Sequence, residues 1–206
     1  MKLFLSSLSI PNTDVYRSLF GDIQQPRIAM ICNAWGVYSP EKSEPYIRAN
    51  MDLFTELDMS VEVIDLLEYA NKQSDLDSTL SKYDGIWVTG GNTYYLNWAI
   101  HQSGLQNIIR KHCERGLVYG GESAGAIVAG PNIDHFQAID EPSEAPTVIL
   151  EGMSLTEIVV VPHFDSQKYS DGIKRIDQAL RETDATVVRL NDDQALVIDG
   201  QHKMLV

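Results

Sequence analysis

Basic residues are scarce in this chain: 16 lysines and arginines stand against 29 aspartates and glutamates, a formal net charge of −13. They form no cluster, which argues against nucleic acid, since phosphates call for a basic stripe. The acidic balance favours solubility, and it repels an anionic substrate unless a local cation intervenes. Cysteine is scarce too. Cys32 ends an apolar run and Cys113 falls on a helical segment, with no C-x-x-C or Cys/His spacing that suggests zinc. Neither a metal nor another cofactor is expected. No apolar run approaches the roughly 20 residues of a membrane span. The stretch Met1–Leu5 is too short for a signal peptide, so the expectation is a cytoplasmic protein without a membrane. Repeats, low-complexity tracts and linkers are missing as well, and one domain over 1–206 is expected. A chain of this size can bury about 70% of its unfolded surface.

What is present alternates between two patterns. Lys2–Ser6, Arg27–Cys32, Val61–Ile64 and Gly85–Val88 are short apolar runs suited to the middle of a parallel sheet. Between them, Ser43 reads as an N-cap followed by Glu44 and Pro45, with Ile47, Met51, Phe54 and Leu57 at helical spacing. Helices are expected from Tyr94 to His101, from Ser103 to Glu114 and around Ile173, Ile176 and Leu180. Thr147–Leu150, Ile158–Val161, Thr186–Leu190, Ala195–Ile198 and Lys203–Val206 read as strands. Asn191-Asp192-Asp193 and Asp199-Gly200 read as hairpin turns between the last three. Gly130 to Pro146 lacks periodicity and is expected to be a loop over the active face. The order points to an α/β fold with a doubly wound, mostly parallel sheet, whose ligands bind at the carboxyl ends of the strands.

The stretch Tyr119-Gly120-Gly121-Glu122-Ser123-Ala124-Gly125-Ala126 has the layout of a nucleophile elbow, with the strand Gly116–Tyr119 before it and a helix start after it. A serine on such a turn exposes its hydroxyl above the sheet, and Gly121 and Gly125 let chains cross without a Cβ clash. A serine hydroxyl needs a base, for which imidazole is the usual choice. Of five histidines, His163 follows the apolar strand Ile158–Val161 and Pro162, where a strand leaves the sheet; His101, His112, His135 and His202 sit on helices, a loop and an edge hairpin. A carboxylate must orient that imidazole, and Asp192 or Asp193 could reach it if their strand neighbours that of His163; Asp134, Asp140 and Asp165 lie in loops. The amides of Ala124 and Gly91 are candidate donors to an oxyanion. Asn92 beside Gly91 and Lys168 near His163 are candidate substrate contacts. A phosphate-binding loop is not indicated, since neither G-x-G-x-x-G nor G-K-[ST] occurs.

Three stretches together, Val88-Thr89-Gly90-Gly91-Asn92-Thr93-Tyr94-Tyr95-Leu96, Gly121-Glu122-Ser123-Ala124-Gly125-Ala126 and Pro162-His163-Phe164, resemble the peptidase E family of bacterial serine peptidases. That family includes aspartyl dipeptidases and is related to cyanophycinases. The resemblance implies a flavodoxin-like fold related to class I glutamine amidotransferases, with serine at the elbow. It places the nucleophile on Ser123, the base on His163 and the acid on Asp192, with Asp134 or Asp140 as the counterpart of an aspartate favoured in some descriptions. Where aspartyl dipeptidases have an aromatic residue and, in a longer segment after the histidine, an arginine, this chain has Glu122 and, in the short stretch His163–Tyr169, no arginine at the matching place, with Lys168, Lys174 and Arg175 nearby. A lysine does not replace arginine for bidentate carboxylate binding. The implied substrate is therefore a dipeptide or short peptide whose side-chain preference stays open, and the implied assembly is a monomer or homodimer. Two other readings remain. An esterase-type hydrolase shares G-x-S-x-G but runs Ser…Asp…His, which would leave only His202 after Asp192. A non-catalytic relative would bind a small metabolite or regulate a partner.

Overall fold

Successive residues of the central strands point to opposite faces, and each face has its own core. In β1 (Lys2–Ser6), Leu3 and Leu5 join one core and Phe4 the other; in β2 (Arg27–Ile31), Ala29 and Ile31 part in the same way from Ile28 and Met30. The computed structural model describes residues 1–206. Strands β3 (Ser60–Val63), β4 (Gly85–Val88), β5 (Val118–Glu122), β8 (Ala195–Asp199) and β9 (His202–Leu205) complete a seven-stranded sheet ordered β3-β2-β4-β5-β1-β8-β9. The first five are parallel, while β8 and β9 add an antiparallel edge. A separate parallel pair is formed by β6 (Ile158–Val161) and β7 (Thr186–Arg189).

Helices cover both faces. Tyr16 of α1 (Thr13–Ser18) and Phe54 of α2 (Pro40–Glu56) enter the smaller core, where Tyr16 meets Phe4, Phe20, Phe54 and Trp87 edge-on. The larger core takes the apolar faces of α3 (Gln73–Leu80), α4 (Thr93–Ser103), α5 (Leu105–Glu114), the short α6 (Ala124–Ile127) and α7 (Ser170–Arg181). The architecture is the expected mostly parallel α/β sheet between helical layers. No helix is long and apolar enough to cross a membrane.

Four local expectations give way. The helix expected from Ser43 begins a turn earlier: Pro40 holds its first position and Ser39 its N-cap. Proline fits a first turn because its φ is preset and no donor is needed there; Pro45 then lies inside the helix, which forgoes one amide donor. Thr147–Leu150 is not a strand. The Asn97 side-chain amide donates to the carbonyls of Ile149 and Glu151 at 2.8 and 3.0 Å, so a helix side chain takes the place of a strand partner. The elbow strand is Val118–Glu122 rather than Gly116–Tyr119, and its pairing reaches the residue before Ser123. Finally, Asn191–Asp193 joins no hairpin, because β7 pairs with β6 and β8 pairs with β1. The Asp199-Gly200 turn does join β8 to β9, with Gly200 at φ 59°.

Candidate active site

Ser123 leaves β5 at φ 47° and ψ −111°, a backbone conformation that a side-chain-bearing residue rarely adopts. Crowding below explains the two glycines. A Cβ on Gly121 would lie 2.5 Å from the Gly125 carbonyl oxygen, and one on Gly125 would lie 2.1 Å from that of Val88. The chain crosses its own sheet here at backbone contact distance. The helix that follows has a single turn, Ala124–Ile127, so its dipole contributes little and the individual amides matter more.

The Ser123 hydroxyl and His163 Nε2 lie 2.9 Å apart, and His163 Nδ1 lies 2.6 Å from Asp192 Oδ1. The exits of β6 and β7 make this possible. Leu190 donates to Val161 O and Phe164 donates to Leu190 O, each at 2.9 Å, which holds the two parallel strand ends in register. Asp192 is fixed further by its own amide, which donates to Asp165 Oδ1 at 3.0 Å. His163 has φ 60°, a second residue in the left-handed region. Its amide donates to the buried Ser7 hydroxyl at 2.7 Å, and that hydroxyl donates to Asp192 Oδ1 at 2.9 Å. Ser7 thus ties His163 and Asp192 together from the end of β1. The sequence reading did not single it out; the one available signal was its place at the carboxyl end of a central strand.

The other candidates lie elsewhere. Asp193 is exposed, and Asp134 accepts from the His135 amide at 2.9 Å. Asp140 bonds to Thr93 rather than to His163. His101 lies 3.0 Å from Glu151 O, His112 lies 2.7 Å from Asp77, and His202 is exposed on β9.

Gly91 has φ 130°, and a Cβ there would lie 2.5 Å from Ala34 O, so the chain approaches too closely for any other residue. The Gly91 and Ala124 amides donate to no backbone carbonyl. The adjacent Gly90 amide is taken: it donates to Glu122 Oε1 at 3.3 Å, while Ser9 donates to Oε2 at 2.7 Å. Glu122 is 1% exposed. Burial pushes its carboxyl up to about 7, against the two amides, which pull it down.

Above the elbow opens a cavity of about 440 Å³ lined by Ser123, His163, Gly91 and Lys168 and walled by Trp35, Tyr38, Tyr46 and Tyr169. The Tyr169 ring stands 4.9 Å from the imidazole of His163 at 31°, and its hydroxyl receives Lys168 Nζ at 2.8 Å. Ile139 and Asp140 bring the 130–146 segment to the cavity wall, over the active face as expected. Lys42, from the first turn of α2, is a second cation there that nothing in the sequence singled out. Asn92 does not line the cavity. Its Oδ1 caps α4 by accepting from Tyr95 N at 2.8 Å, and its Nδ2 donates to Glu141 O at 3.0 Å, so both polar ends hold the loop rather than face a ligand.

The model of peptidase family S51 matches residues 12–206. An uncharacterized peptidase of Pasteurella multocida is 27% identical over 99% of this chain and 96% of its own. A protein named peptidase E from Streptomyces coelicolor is 26% identical over 78% of this chain and 68% of its own. A crystal structure from Listeria monocytogenes EGD-e, of a protein provisionally assigned as a peptidase E, superposes with a TM-score of 0.85 at 24% identity, covering 100% of this chain and 97% of that one. At that identity the superposition speaks to the fold.

Proposed function

The chain belongs to peptidase family S51, and from that premise we propose that it is a serine peptidase that hydrolyses dipeptides or short peptides through an acyl-enzyme. One observation carries the reading: the strained elbow serine heads an unbroken hydrogen-bonded chain, Ser123–His163–Asp192, at 2.9 and 2.6 Å. In this reading the Ser123 oxygen attacks the scissile carbonyl carbon as its proton passes to His163 Nε2. Asp192, accepting from Nδ1–H, holds the imidazole in the right tautomer and stabilises its cation. The carbonyl oxygen becomes an oxyanion between the amides of Gly91 and Ala124. Each such donor is worth on the order of 3–4 kcal/mol in the transition state. His163 returns the proton to the leaving amine, and water, deprotonated by the same imidazole, then releases the acyl group and regenerates Ser123.

The cavity of about 440 Å³ lies toward the small end of ligand pockets, which suits a few residues rather than an extended chain. Lys168 and Lys42 supply the local cations that a carboxylate-bearing peptide needs against a net charge of −13. Asn92 is assigned here an indirect part in substrate binding, through the loop it holds.

The test is labelling by a fluorophosphonate probe, located by mass spectrometry, with hydrolysis of a dipeptide panel. Labelling at Ser123, and loss of peptide hydrolysis by several orders of magnitude in Ser123→Ala, are expected. A Ser123→Ala variant that keeps more than about a tenth of the rate overturns the assignment, because triad members act as a unit. Efficient digestion of casein would contradict the small pocket.

A further inference from the structure

Asp140 contributes the only carboxylate to the cavity that holds Ser123, and the two oxygens of that carboxylate are treated differently. Oδ2 is pinned by the Thr93 amide at 3.0 Å and by the Thr93 hydroxyl at 2.5 Å. Oδ1 accepts from no protein group. At the α4 terminus next to it, Asn92 takes the Tyr95 amide and Asp140 Oδ2 takes the Thr93 amide, which leaves Oδ1 outside the capping bonds. We propose that Asp140 Oδ1 is an ammonium-binding subsite that receives the free α-amino group of a short peptide, a reading that rests on the peptidase assignment above.

Three further observations support it. Burial raises the Asp140 carboxyl above its usual range, against the Thr93 bonds and the charges of His163 and Lys168. Burial thus disfavours the charged form of this carboxylate, and an ammonium would stabilise that form through a charge-assisted hydrogen bond. Second, the carboxylate is held rigid from one side, as positioning of a bound group requires. Third, in an unblocked peptide the α-nitrogen is two bonds from the first carbonyl carbon, so anchoring it in the same cavity as Ser123 presents that carbonyl for attack. Lys42 and Lys168 line the same cavity and are cations available to the carboxylate end of the peptide. The pocket then matches a short zwitterion and selects cleavage after the first residue.

Calorimetry in a Ser123→Ala background tests this without turnover, with Ala-Ala, N-acetyl-Ala-Ala and N-acetyl-Lys-Ala as probes. Acetylation is expected to weaken Ala-Ala binding at least about tenfold, in proportion to the loss of one charged contact. Asp140→Asn, whose amide oxygen still accepts from Thr93, is expected to weaken Ala-Ala to the same degree and to abolish the difference. Tight, Asp140-dependent binding of N-acetyl-Lys-Ala would assign the ammonium to a side chain instead of the terminus. Equal binding of Ala-Ala and its acetylated form overturns the subsite, as does an Ala-Ala affinity unmoved by Asp140→Asn or an absence of Ala-Ala binding. The acetylation arm needs no change at Asp140, so it stands even if that variant misfolds. Failure here leaves the hydrolase reading intact, whereas absence of Ser123 labelling in the native protein would remove that reading and leave the binding result standing.

Discussion

Replacing Ser7 with alanine removes one oxygen from a fully buried site and breaks two bonds at once. The hydroxyl accepts from the His163 amide at 2.7 Å and donates to Asp192 at 2.9 Å. Without it, the amide of a residue held at φ 60° has no partner in a place water does not reach. An orphaned buried donor costs about 1–3 kcal/mol. For a chain of this length, about 2–4 °C of melting temperature is lost per kcal/mol, so a drop of roughly 2–12 °C is expected. The activity should suffer more. Ser7 does not line the cavity, so KM should hold while kcat falls, and a displacement of the imidazole by about 1 Å is enough for a loss of about 10². Ser9→Ala is the control, because the Ser9 side chain takes part in no hydrogen bond while its amide still serves Glu122. The assay pairs steady-state hydrolysis of a dipeptide with differential scanning calorimetry. A Ser7→Ala enzyme with kcat within about twofold of the native value, well short of what misplacement implies, refutes the argument.

Asp192→Asn should lower kcat by about 10⁴ by holding His163 in the wrong tautomer, while Asp193→Asn, at an exposed side chain, should change it little; equal, small effects would remove Asp192 from the role. Gly125→Ala would set a Cβ 2.1 Å from the Val88 carbonyl oxygen, where only backbone movement gives relief, so a loss of at least about 3 kcal/mol is expected in urea unfolding; an unchanged midpoint would show that the crossing is looser than described. Glu122 has a folded pKa raised from 4.5 to about 7. The unfolded chain therefore holds fewer protons between those values, and this group's contribution to stability, complete below about 4.5, declines as pH rises to about 7, by about 3 kcal/mol at most. Urea midpoints of Glu122→Gln between pH 5 and 7.5 should lose that downward slope, and a slope equal to the native one would contradict the burial argument.

The apolar period of the strands, the glycine pair around Ser123 and the Pro162-His163 exit were legible because each is a local property of a few residues. A parallel strand buried on both faces needs a continuous apolar run, and an elbow needs glycines at fixed offsets. Family membership was legible for the same reason, since three short motifs in order carried it. Even the choice among Asp192, Asp193, Asp134 and Asp140 had its candidates in view, although geometry had to separate them: β7 lies beside β6, which brings Asp192 to His163. That pairing could not be read from the chain, because the apolar strands Thr186–Arg189 and Ala195–Asp199 fit a hairpin as well as they fit two different sheets. Ser7 was invisible for a related reason. A serine at a strand end carries no signal of its own, and its partners are 156 and 185 positions away. The same holds for Lys42 on its helix and for the bare oxygen of Asp140. What the residues are, and how they alternate, follows from local spacing; which hydroxyl meets which carboxylate follows from the packing of elements far apart in sequence, and only the tertiary structure carries that information.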